Sequence, residues 1–197
     1  MRPDLQVVAA LVPEGARVLD LACGEGELLA ELARARRCRV QGVERDPEAF
    51  HACVARGLPV VQADIDDGLP EFDDDGFDLV VLSQALQASH RPVRVLREMM
   101  RVAPAGIVSF PNFGHWRLRA GLLLRGTMPV SRTLPHPWFA TPNIHLCTLR
   151  DFERLAAAEG LRVSARRLLD EDGRAAPERA ERRPNLLAAG AAYLLTR

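Results

Sequence analysis

The chain contains no lysine; all 26 of its basic residues are arginine. This excludes Schiff-base chemistry on a lysine amine and a P-loop lysine set against a nucleotide phosphate. Cysteine is scarce: Cys23, Cys38, Cys53 and Cys147 are the only four, with no C-x-x-C pair among them. Neither a zinc ribbon nor a thioredoxin-type redox motif can be assembled from that set. Net charge is also missing, since 26 acidic residues balance the 26 basic ones. That argues against a nucleic-acid binder working by bulk electrostatics. No apolar run reaches the roughly 18 residues a membrane span needs. The opening MRPDLQVVAALVPEG lacks a signal peptide's charged start, apolar core and small-residue cleavage site. The expectation is a soluble cytoplasmic protein with free thiols.

What remains is an ordinary globular composition, 48% hydrophobic and 26% charged over 197 residues, the size of one domain. Arg17 to Leu21 reads as a buried strand running into a glycine turn, and Glu27 to Arg36 as the helix that follows. Arg39 to Glu44 and Leu58 to Gln62 read as strands, separated by a helix that Asp46 caps and Pro47 starts. Residues 64 to 78 carry eight acidic groups and no basic one, which predicts a solvated loop or short helix. Phe77 to Leu82 and Ala105 to Phe110 are further strands, flanking an amphipathic helix over Pro92 to Val102. Thr148, with Asp151 three residues on, caps a helix that Gly160 stops; Val163 to Leu169 and Ala188 to Thr196 read as closing strands. The charged piece between those two strands, Asp170 to Pro184, reads as an exposed loop. Such alternation predicts a single α/β domain, residues 1–197, with a doubly wound, Rossmann-like and mostly parallel sheet.

The chemically informative stretch is VLDLACGEGE. Asp20 lies near the end of a strand, and small residues Ala22, Gly24 and Gly26 lead into a helix. Glycines there let the backbone turn tightly and approach a ligand closely. Glu44 stands 18 residues after Gly26, at the end of the next strand, where a carboxylate can hydrogen-bond ribose hydroxyls and repel a 2′-phosphate. Asp64 follows the third strand, within reach of an adenine edge. The dinucleotide pattern G-x-G-x-x-G fails, because residue 29 is Leu. Asp20 and Glu25 set negative charge where a pyrophosphate would lie, which disfavours NAD and favours a ligand carrying an ammonium or sulfonium. An inherited fold signature with no bound ligand is the alternative reading of the same constellation.

This pattern resembles the class I S-adenosylmethionine-dependent methyltransferases, whose first motif, D-x-G-x-G-x-G, matches at Asp20, Gly24 and Gly26 with Ala22 replacing the first glycine. The resemblance implies that backbone from Ala22 through Cys23 to Gly26 meets the methionine part of S-adenosylmethionine or S-adenosylhomocysteine, and that Glu44 meets the ribose. Asp64 and Ile65 would flank the adenine, and Ser83 and Gln84 would line the site after the fourth strand. A longer likeness runs through MRPDLQ, VLDLACGEGELL, LSQALQASHRP, IVSFPNFGHWRLR, TPNIHLCTLRDF and LDEDGR, which are similar to the MetW family of methionine biosynthesis proteins. It implies a partner of a homoserine O-acyltransferase, an α/β-hydrolase-type enzyme that carries the acyl-transfer chemistry. A methyltransferase acting on a small molecule remains the other functional reading. No G-x-S-x-G nucleophile elbow occurs in this chain.

Residues 110 to 142 hold five of the ten aromatics and five of the fourteen prolines. The segment 110–146 reads as an insertion after the fifth strand, a lid or a docking surface, unless its aromatics simply pack it onto the core. From Met99 to Arg150 there are six Arg and no carboxylate. Trp116, Arg117 and Trp138 are the residue types that anchor protein interfaces. His115 and His145 are the candidates for a general base, each with a structural hydrogen bond as its alternative role.

Overall fold

Strands β1 (Arg17–Leu21), β2 (Arg39–Glu44), β3 (Val60–Gln62), β4 (Leu79–Ser83) and β5 (Ala105–Pro111) lie parallel in the computed structural model, which describes residues 1–197. β6 (Arg162–Leu169) and β7 (Gly190–Thr196) complete the sheet antiparallel, in the order β3-β2-β1-β4-β5-β7-β6. Helices α1 (Pro3–Leu11), α2 (Glu27–Arg36), α3 (Pro47–Ala55), α4 (Pro92–Val102), α5 (Trp116–Arg125), α6 (Leu149–Ala158) and the short α7 (Pro184–Leu187) connect the strands or flank them. No helix is long and apolar enough to cross a membrane.

The central strands are apolar on both faces because both faces are covered. Val18, Val81 and Ile107 face a cluster with Val8 of α1 and Leu28 and Leu32 of α2. Leu19, Val80 and Val108 face a second cluster with Leu96 and Met99 of α4 and Phe152 of α6. The strand order reverses between β1 and β4, opening a crevice outside the carboxyl ends of those strands.

Local signals place most elements. The Asp46 side chain accepts the Ala49 amide at 2.9 Å, and Thr148 and Asp151 form a reciprocal capping box at α6. Three stretches differ from expectation. The acidic run is not simply solvated: it forms a 3₁₀ turn over Ile65–Asp67 and buries Asp66, Leu69 and Phe72. Asp66 tolerates burial because the Ser89 hydroxyl and the His90 and Arg91 amides donate to it at 2.6, 2.9 and 2.9 Å. The segment after β5 is not a plain loop either, since its strong helix formers WRLRAGLLLR build α5, which Gly126 ends at φ 66. Within the charged 170–184 stretch a 3₁₀ turn over Glu178–Arg182 buries Ala180.

Candidate functional site

The turn after β1 is built from left-handed backbone: Ala22, Gly24 and Gly26 have φ of 54, 56 and 75°. At Gly26 a Cβ would sit 2.4 Å from Leu58 Cδ1 and 2.9 Å from Cys53 Sγ, so space as well as conformation demands glycine. Ala22 holds the same conformation with a methyl group, at a cost of roughly 1–2 kcal/mol. Glu44, buried at the end of β2, ties the turn down. Its Oε2 accepts the Gly24 amide and its Oε1 accepts the Asp46 amide, each at 2.8 Å. The Cys53 thiol donates to the Gly24 carbonyl at 3.1 Å, and burial first pushes the neighbouring Cys23 thiol up, so that it stays protonated.

Above this turn, at the ends of β1 and β4, lies a cavity of about 580 Å³ lined by Asp20, Ala22, Cys23, Gly24, Ser83 and Gln84 among others. The volume is that of a small-molecule site, roughly 300–1,000 Å³. It continues past Ala22 and Ala85 into a slot of about 80 Å³ bounded by Glu44, Ala63, Asp64 and Ile65. The fold thus gathers Asp20, Ala22, Cys23, Gly24, Ser83 and Gln84 in one cavity and Glu44, Asp64 and Ile65 in the adjoining slot; Gly26 supports the turn without lining either.

Asp20 is only 3% exposed and accepts no hydrogen bond from the protein. Burial, then the charge of Glu44, push its carboxyl up to about 8, with Arg2 opposing. Asp64 caps the 3₁₀ turn by accepting the Asp66 amide at 2.9 Å and pairs with Arg45 at 3.2 Å. Gln84 takes φ 57° at the end of β4, its amide donating to Ser109 O at 2.9 Å, while the Ser83 and Ser109 hydroxyls share a 3.0 Å bond. A buried carboxyl without a donor suits a ligand that brings positive charge, which would favour its ionised form, and Glu44 suits hydroxyls and repels phosphate.

A second cavity, about 440 Å³, shares Arg2 and Gln84 with the first and is lined by His136, Asn143 and Glu171. His115 and His145 line neither cavity. His115 is buried at the start of α5 with Nδ1 3.8 Å from Glu171; burial lowers its pKa while the Glu171 charge opposes. His145 is exposed, and its amide donates to Gln87 O at 2.9 Å. His136 was missed in the sequence because 52 residues separate it from Gln84 and no local pattern links them. Asp66, which orders the turn over Ile65–Asp67, was hidden among its acidic neighbours.

Beyond the crevice α5 and the chain after it carry exposed apolar side chains: Leu123 at 84%, Leu124 at 80%, Trp138 at 72% and Phe139 at 74%. Trp116 is half exposed, with Arg117 stacked 5.4 Å above it and also paired to Glu171 at 2.7 Å. A groove of about 510 Å³ runs along α5 between Trp116, Leu124, Met128 and Val130.

The sequence profile described as "Methionine biosynthesis protein MetW" matches residues 2–195. The chain belongs to the MetW family. A relative from Rhodopirellula baltica, "Bifunctional methionine biosynthesis protein MetXA/MetW", is 37% identical over 161 residues, 77% of this chain. The chain spans about a quarter of that relative's length, 26%. Membership ties this MetW-family chain to methionine biosynthesis. Among solved structures, an S-adenosylmethionine-dependent methyltransferase from Mesorhizobium loti superposes with a TM-score of 0.69 at 20% identity, covering 98% of this chain and 96% of its own. A possible histamine N-methyltransferase from Thermotoga maritima gives 0.68 at 17% identity, covering 98% and 87%. The MetW-family chain therefore has the class I methyltransferase fold.

Proposed function

We propose that this chain is the activating partner of a homoserine O-acyltransferase, docked through the exposed face formed by α5 and residues 126–146. In this reading the cavity over β1 and β4 holds S-adenosylmethionine or S-adenosylhomocysteine. The observation that carries it is the bifunctional MetXA/MetW relative, in which a chain like this one is joined to a second methionine-biosynthesis protein. The surface agrees with that role: Leu123, Leu124, Trp138 and Phe139 stand in water as a monomer, and apolar area of this kind marks protein contacts. The acyl-transfer nucleophile belongs to the partner, because this chain offers no nucleophile elbow.

The cavity supports the ligand assignment. The donor-free Asp20 accommodates a sulfonium or ammonium, Glu44 stands beside the position of ribose hydroxyls, and the slot at Ala63 and Ile65 suits a flat heterocycle. A small-molecule methyltransferase is the second reading, favoured by the cavity that opens beside Gln84 and carries His136. The test is co-expression with the homoserine O-acyltransferase of the same organism, copurification, and assay of acyl transfer with and without this chain. Copurification with raised acyl transfer is the expected result. Separate elution and unchanged acyl transfer reject the partner role.

A further inference from the structure

Away from the crevice, a concavity of about 370 Å³ lies where α5, the start of α6 and the Glu178–Arg182 turn meet. Four arginines line it: Arg119, Arg150, Arg182 and Arg183. Its single carboxylate, Glu153, is already committed, accepting from Arg166 Nη1 at 3.1 Å and from the Tyr193 hydroxyl at 2.9 Å. Arg150, Arg182 and Arg183 make no ion pair and donate no side-chain hydrogen bond, although twelve other arginines of this chain are ion-paired. Arg119 directs its Nε and one Nη at the Gly114 and Asn185 carbonyls, and Asn185 Oδ1 accepts the Arg150 backbone amide at 3.4 Å, leaving further guanidinium donors free. Like charges gathered around one hollow repel, and a bound anion removes that cost.

We infer that this hollow is a binding site for a polyphosphate group, separate from the crevice. Arginine presents a planar fork of donors that matches phosphate oxygens, and several arginines together favour an anion bearing two or more charges. The size fits a compact diphosphate, alone or borne on a nucleotide, better than an extended acidic chain segment. The crevice is unsuited to this ligand, because the Glu25 and Glu44 carboxylates that line it repel phosphate. The inference is independent of acyltransferase docking and of S-adenosylmethionine binding.

Titration calorimetry on the whole chain with inorganic pyrophosphate and, separately, with ADP tests it. Pyrophosphate should bind at near-physiological salt, and affinity should fall as salt rises. The double variant Arg182→Gln/Arg183→Gln should bind at least about tenfold more weakly, equivalent to about 1.4 kcal/mol. These side chains are exposed and unbonded, so the variant keeps its fold. Arg154→Gln, on α6 outside the hollow, should bind like wild type, and saturation with S-adenosylhomocysteine should change nothing. Tighter binding of ADP assigns the phosphate to a nucleotide, and equal binding assigns it to free polyphosphate; either supports the site. Absence of heat with both probes, or equal weakening by Arg154→Gln, overturns it, as does binding only of acidic peptides.

Discussion

The backbone carbonyl of Gln87 accepts the His145 amide at 2.9 Å. It also accepts the Ile144 amide at 2.8 Å, while the Gln87 side chain donates to Gln84 O at 2.8 Å. The chain after β4, whose Gln84 and Ala85 line the crevice cavity, therefore anchors the end of the aromatic segment. Saturation with S-adenosylhomocysteine should slow hydrogen exchange at the Ile144 and His145 amides, at least about threefold, by stabilising that stretch against opening. Exchange mass spectrometry reads it directly, and unchanged rates would separate the two regions.

Glu44 satisfies two backbone amides with its two oxygens. Glu44→Gln keeps the shape but turns an NH₂ group toward one of those donors. The expected loss is about 1–3 kcal/mol of stability, with S-adenosylhomocysteine affinity at least tenfold weaker. Urea melts and calorimetry measure the two effects. A variant with wild-type affinity would remove Glu44 from the ligand contact.

Asp20 gives a pH dependence of defined sign. Its carboxyl titrates at about 8 when folded, raised by burial and then by Glu44, against about 3.9 in an unfolded chain. Between those values the folded chain holds the extra proton. This contribution is therefore complete below about pH 4, falls by up to ~1.4 kcal/mol per pH unit as pH rises, and is gone above about 8. Asp20→Asn should flatten that slope. A cationic ligand favours the carboxylate, so binding at pH 7 should release protons, seen as a calorimetric enthalpy that varies with buffer ionisation.

Leu124 and Trp138 contribute almost nothing to the core. Leu124→Arg and Trp138→Ala should leave thermal stability within about 0.5 kcal/mol of wild type. Each should weaken acyltransferase association by about 2 kcal/mol or more if the face is the docking surface. Size-exclusion chromatography of the mixed proteins, alongside a melt of each variant, distinguishes docking from packing.

Ala22 sits in left-handed backbone at the cavity wall. Ala22→Gly relieves the conformation but frees the unfolded chain, so stability should change by no more than about 1 kcal/mol. Ala22→Val, β-branched in the same geometry, should destabilise and reduce ligand affinity. Thermal melts with and without S-adenosylhomocysteine give the comparison.

The parallel sheet was legible because β4 and β5 are near-continuous apolar runs, because β1 is apolar apart from Arg17 and Asp20, and because Asp46, Thr148 and Gly160 punctuate the helices in plain sight. The glycine turn was legible for the same local reason. Helix α5 was not, since Leu122, Leu123 and Leu124 follow one another and erase the period a half-buried helix shows. Asp66 was lost because its partners stand 23 to 25 residues ahead of it. The arginine hollow draws on Arg119, Arg150, Arg182 and Arg183, which only the tertiary fold brings to one place.

Gly190, at the start of β7, pairs with Pro111 of β5 on one side and Leu169 of β6 on the other. Those strands bracket the aromatic segment, yet they touch only through β7, which leaves a ribosome after both of them. During synthesis the edge of β5 and the apolar surface of α5 are thus displayed together, unpaired, until the final strand arrives, the circumstance in which nascent chains aggregate or recruit chaperones. The face proposed to receive a partner in the finished protein is thus, seconds earlier on the ribosome, exposed beside an unpaired strand edge.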